Sequence, residues 1–181
     1  MTEVQHRRSA RGFTLIELLL ALSIISIVAS LAGPSLSRLV DNNRLRTEAN
    51  RVLTTLTLTR SEAVKLNQPV TICSSEDGLS CGGDWEDGWI VFSNVDADAT
   101  VDTGTDRVVR VYEGVNHGVS LAGNLGVSTL TYYGDGTLAA GSGTIAICDS
   151  EASTSRGWGI RLNAAGRPRM QKGVASCDSD G

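Results

Sequence analysis

The apolar positions fall into two patterns along the first third of the chain. From Phe13 to Ala32 the residues are mostly apolar whichever way a helix would turn them, with Glu17 the single charge. At about 1.5 Å rise per residue this stretch spans roughly 30 Å, the thickness of a bilayer's hydrocarbon core, which predicts a transmembrane helix over 13–34. Residues 1–12 before it are a polar leader with Arg7, Arg8 and Arg11, ending at Gly12. Gly33-Pro34 then predicts a kink or loosening, because proline removes a helical hydrogen bond. Beyond it, Leu39, Ala49, Val52, Leu53, Leu56, Ala63 and Val64 recur at approximately three- and four-residue spacing, with charged residues between them. That spacing predicts an amphipathic helix over 35–67 that needs a partner surface, ended by Asn67-Gln68-Pro69.

After Pro69 the pattern becomes short β-branched and aromatic runs divided by Gly, Asp and Asn. Strands are predicted at 69–74, 88–92, 107–112, 119–121, 130–133, 144–148, 160–163 and 168–172, the last two joined by a hairpin turn at Ala165-Gly166-Arg167. One long helix followed by antiparallel strands is an α+β arrangement, with a β-rich globular head over 68–181.

Glu17 is the anomaly of the apolar run. A carboxylate there costs about 2.5–3.5 kcal/mol on permissive insertion scales, so it needs a partner. A secretory signal peptide cut near Ser30-Leu31-Ala32 would explain the leader. However, the run is longer than an ordinary signal core, it carries Glu17, and Pro34 follows the cut. A plain membrane anchor explains the length but not the glutamate.

Composition narrows the function. The net charge is −4, and removing the leader (three Arg against Glu3) takes it to about −6, which argues against bulk nucleic-acid affinity and requires any such binding to be local. The four cysteines, an even number beyond an export signal, read as disulfides. Of three possible pairings, the favoured one joins Cys73 to Cys81 in a short loop and Cys148 to Cys177 across the tail. No catalytic constellation is visible. His117 is the lone histidine of the mature part, no serine sits in a nucleophile elbow, and the glycine-rich stretches lack a phosphate-loop lysine. Neither a cofactor nor a small-molecule substrate is expected. Asn94–Asp98 resembles half of a calcium loop, but Ala99 replaces the turn glycine and Thr105 the bidentate glutamate, so a solvated acidic loop is expected.

The tail departs from this acidity. Arg156, Arg161, Arg167, Arg169 and Lys172 occur with no Asp or Glu among them. Alternation would put Arg167 and Arg169 on one face, each able to fork onto a phosphate, with Trp158 near enough in sequence to stack. The plainer alternative is a solvated hairpin whose charges keep an edge strand from aggregating.

Gly12-Phe13-Thr14-Leu15-Ile16-Glu17 resembles the class III signal of type IV prepilins and type II secretion pseudopilins. The resemblance implies a prepilin peptidase cut between Gly12 and Phe13, N-methylation of Phe13, and pairing of Glu17 with a neighbouring subunit's amine during assembly. Leu58–Val64, Asn67–Val70 and Trp85–Phe92 resemble the helix end and first two strands of the GspH/FimT family of minor pilins, and Gly166-Arg167-Pro168-Arg169 resembles the GRxR motif that marks DNA binding in FimT proteins. The implied protein is a type IV pilin-like subunit of the bacterial inner membrane, single-pass with a periplasmic head. Its partners would be other pilins or pseudopilins, prepilin peptidase and DNA taken up in natural transformation. The alternative is pseudopilin H, a structural subunit of the type II secretion pseudopilus.

Overall fold

A computed structural model of the chain describes residues 13–98, 100–115, 119–123, 129–149 and 157–173, with the side chains of 31–35, 37, 38, 122 and 123 left outside that description. The leader, His117, Arg156 and Cys177 therefore lie outside the described residues.

Helix α1 runs Leu15–Leu66 as one element. Thr14 caps its start: its hydroxyl accepts the Glu17 N–H at 3.3 Å, and Glu17 stands at the third helical position, the spacing of a capping box. The helix expected to resume beyond Gly33-Pro34 does so within the same element, giving the one long helix expected. Pro34, which removes one helical hydrogen bond, lies within it. The C-terminus closes in a Schellman arrangement. Asn67, at φ 51°, donates to the Val64 carbonyl, and the Gln68 N–H reaches the Ala63 carbonyl.

The chain divides into two units, 1–40 and 41–181. In the first, the apolar side chains from Phe13 to Val28 are exposed on every side of the helix, with Phe13 at 86% and Leu22 at 54%. A helix apolar all round is stable only inside an apolar surrounding. Among the described residues, no helix is long and apolar enough to cross a membrane.

The second unit holds the core. Eight strands follow α1: β1 (Val70–Ser74), β2 (Gly88–Ser93), β3 (Arg107–Glu113), β4 (Val119–Gly123), β5 (Thr129–Tyr132), β6 (Gly143–Asp149), β7 (Gly157–Leu162) and β8 (Pro168–Lys172). They form two antiparallel four-stranded sheets, ordered β3-β2-β1-β5 and β4-β6-β7-β8. β5 returns to pair with β1, so β4 and β5, neighbours in sequence, belong to different sheets.

Leu45, Ala49, Val52, Leu56 and Ala63 of α1 pack into one apolar cluster with Ile72, Trp89, Val91, Leu130, Tyr132, Ile147, Ile160 and Leu162, so the helix is core to both sheets. Thr55 and Thr59 are buried in the same helix face, their hydroxyls returned to the carbonyls four residues earlier at 3.0 and 2.8 Å. Leu39 and Val64, expected on the buried face, are exposed.

β2 is buried at all six positions because it is covered on both sides. Trp89 and Val91 face α1, whereas Ile90 and Phe92 pack with Cys73 under Cys81, Val101 and Val108. The Cys73–Cys81 disulfide holds that cover in place, as expected from the spacing. Cys148 is also disulfide-bonded, and its expected partner Cys177 lies outside the described residues. Replacing Cys73 and Cys81 by serine should lower stability by about 2–3 kcal/mol from loop closure alone, checked by chemical denaturation. An unchanged unfolding midpoint would show the lid holds without the bond.

Candidate nucleic-acid interface

β7 and β8 form the hairpin that carries the basic residues. Its register sets Arg161 directly opposite Arg169, and β6 places Thr144 opposite Arg161 on the other side. Alternation fixes the faces. Ile160 and Leu162 point into the core, so Arg161 and its partner Arg169 point outward and are exposed. Arg167 precedes β8 in the turn and is exposed as well. The three arginines line one open cleft of about 400 Å³, walled by Ser142, Gly143 and Thr144 and closed by Leu162 and Asn163. Among the described residues the ion pairs are Arg51–Glu48 and Lys65–Glu62, and neither involves this hairpin.

Two hydrogen bonds and a close backbone approach fix the turn that aims Arg167. Asn163 accepts the Gly166 N–H through its carbonyl at 2.8 Å and the Arg167 N–H through its side-chain oxygen at 2.9 Å. Gly166 adopts φ +70°, and a Cβ there would lie 2.2 Å from the Gly136 carbonyl oxygen and 2.8 Å from the Tyr132 ring. The same Gly136 carbonyl accepts from Arg60 Nε at 3.0 Å, tying α1 to the loop on which the turn rests. Tyr132 is fully buried, and that burial pushes its hydroxyl above the ordinary tyrosine value against the opposing charge of Arg60.

Two expectations change. Trp158 is no stacking platform beside the arginines. It alternates with Arg161 onto the opposite face, packs against the core and lies under Arg46 of α1, whose guanidinium is 5.9 Å from the ring centroid. Lys172 pairs with Trp158 and so belongs, by alternation, to that other face rather than to the cleft, although its side chain is exposed. The tail is thus not one uniform basic surface. Sequence reasoning missed Asn163, Ser142 and Thr144; only the pairing of β6 with β7 brings the last two beside the arginines.

Elsewhere, Asp96, Asp98 and Asp102 are exposed and bring carboxylate oxygens within 4.8 Å of one another. Partial desolvation, then the charges of Asp98, Asp96 and Asp106, push Asp102 above the usual carboxylate value. Asp98 is held below it by the Thr100 hydroxyl and N–H.

A long N-terminal helix packed on antiparallel sheets, behind a basic leader and a Gly-Phe-Thr-Leu-Ile-Glu signal, defines a type IV pilin-like subunit. Residues 48–166 match the family described as Type II transport protein GspH, and residues 7–33 match the prokaryotic N-terminal methylation motif. The chain belongs to the GspH family of minor pilins and pseudopilins, structural subunits that assemble with other pilins after prepilin peptidase processing. Among solved structures it is similar to the type IV minor pilin FimU of Pseudomonas aeruginosa strain PAO1, at 24% identity over 76% of this chain and 95% of that one, with a TM-score of 0.60. It is also similar to the minor pseudopilin EpsH of the Vibrio cholerae type II secretion system, at 14% identity over 73% and 99%, with a TM-score of 0.52. Both likenesses concern the fold. The comparison with curated proteins finds no match.

Proposed function

We propose that this subunit is a FimT-like minor pilin, anchored by residues 13–34 in the inner membrane with its head in the periplasm, and that it binds DNA through the arginine cleft for uptake. The observation that carries the reading is the convergence of Arg161, Arg167 and Arg169 on one open cleft without an ion-pair partner among the described residues. Guanidiniums so placed match the forked geometry of phosphate oxygens. The all-round apolar face of α1 from Phe13 to Val28 supports the anchor, since only lipid or neighbouring helices would cover it. After cleavage between Gly12 and Phe13, Glu17 lies four residues from the new amine, where its carboxylate would meet a neighbour's amine in a filament.

Two measurements test the reading. Mass spectrometry of protein from membranes should give a mature chain starting at N-methylated Phe13; a start at Gly33 or an intact Met1 would sink the prepilin part. In a gel-shift titration at low salt, the full chain in neutral-detergent micelles should bind DNA of unrelated sequences alike. The family description and the likeness to EpsH support a second reading, pseudopilin H in a secretion pseudopilus. Wild type binding DNA no better than Arg167→Ala/Arg169→Ala would favour it.

A further inference from the structure

The cleft has a feature that a general basic surface does not need. Arg161 and Arg169 occupy directly opposed positions on adjacent antiparallel strands, where like charges destabilise the pair. No ion pair among the described residues offsets them. A local rule broken in this way is what a ligand-binding position would show. The register extends the row to Thr144 on β6, so one hydroxyl and two guanidinium side chains stand in line across three strands about 4.8 Å apart. Arg167 enters the same space from the turn, which Asn163 and Gly166 fix.

We propose that Arg161, Arg167 and Arg169 form a single cradle that grips one backbone phosphate of a nucleic acid, and that Lys172 stands outside it. This rests on the DNA-binding reading and sharpens it from a charged surface to a discrete site. The cleft is open to solvent and presents guanidiniums, which pair with phosphate oxygens, and phosphate contacts carry no sequence information, so recognition is indifferent to sequence. Opposed guanidiniums can take different oxygens of the same phosphate, so the charge repulsion that Arg161 and Arg169 carry in the free protein is relieved on binding. Lys172 pairs with Trp158 at the other end of the hairpin and belongs to the other face, so an equal charge there reaches the ligand only through the general field.

The test uses the full chain in neutral-detergent micelles and a short fluorescein-labelled oligonucleotide read by anisotropy. Arg161→Ala and Lys172→Ala each remove one positive charge. The cradle predicts that Arg161→Ala weakens binding about tenfold or more, as expected for losing a hydrogen-bonded charge contact, and that Lys172→Ala changes it less than about threefold. The double variant Arg161→Ala/Arg169→Ala should be weaker by much less than the product of the single effects, because both act on one phosphate. Inorganic pyrophosphate should displace the oligonucleotide at concentrations where chloride of matched ionic strength does not. Arg161→Lys, which keeps the charge and loses the fork, covers the case in which Arg161→Ala fails to fold and should fall between wild type and Arg161→Ala. Equal losses for Arg161→Ala and Lys172→Ala, or multiplicative losses for Arg161→Ala and Arg169→Ala, would overturn the cradle while leaving DNA binding standing. Absence of any wild-type binding would remove both.

Discussion

Gly166→Val should abolish DNA binding without removing a charge. A Cβ at this position meets the Gly136 carbonyl oxygen at 2.2 Å and the Tyr132 ring at 2.8 Å, and neither can retreat. Gly136 is held by Arg60, and Tyr132 is fully buried between sheet and turn. The backbone also sits at φ +70°, which a β-branched residue resists. Backbone strain of about 1–3 kcal/mol and overpacking of about 1–3 kcal/mol together predict a loss of roughly 2–6 kcal/mol, or displacement of the turn. Either outcome takes Arg167 away from Arg161 and Arg169. Gly173→Ala is the control, since Gly173 has a similar φ of +74° but open space around it, and should show backbone strain alone. Thermal melts and DNA titrations of both variants check this. Equal behaviour of the two would mean that the seat of the turn is unimportant.

Trp89→Ala should be the most damaging single truncation in the head. The ring is buried, stacked on Tyr112 at 5.6 Å between centroids and tilted against Trp85 at 6.4 Å. The Arg51 guanidinium lies 4.5 Å above it, and Trp89 Nε1 donates to Thr55 Oγ1 at 3.4 Å. Arg51 itself donates to the Glu113 and Gly114 carbonyls and pairs with the buried Glu48, so α1, β2 and the end of β3 meet at this ring. Removing a buried tryptophan costs about 3–5 kcal/mol, which for a head of this size lowers Tm by roughly 6–20 °C. A shift within a few degrees of wild type would show that the helix is held elsewhere.

The sequence revealed much of this through period. Strict short β-branched runs located all eight strands to within a few residues, and Asn67-Gln68-Pro69 marked the helix end that the Schellman bonds realise. What it hid has identifiable physical causes. Thr55 and Thr59 read as polar, yet a threonine that returns its hydroxyl to its own helix packs as an apolar residue, so the buried stripe ran through positions that a hydropathy pattern discards. The division into two sheets depends on β5 returning to β1, a choice of partner that no local pattern encodes. The basic tail showed its composition and not its faces: strand alternation separated Lys172 and Trp158 from Arg161 and Arg169 once the register was set. Arg156 and Cys177, named with the others, lie outside the described residues.

The most direct test of the central claim is the salt dependence of DNA affinity for wild type against Arg167→Ala/Arg169→Ala, measured by anisotropy on the full chain in neutral-detergent micelles. Each lost phosphate contact lowers the slope of log Kobs against log salt by close to one. Wild type should bind at low salt with a clearly negative slope, and the double variant should bind weakly with the slope reduced in magnitude by about one, since both arginines grip the same phosphate. Equal slopes and equal affinities for the two proteins would contradict it.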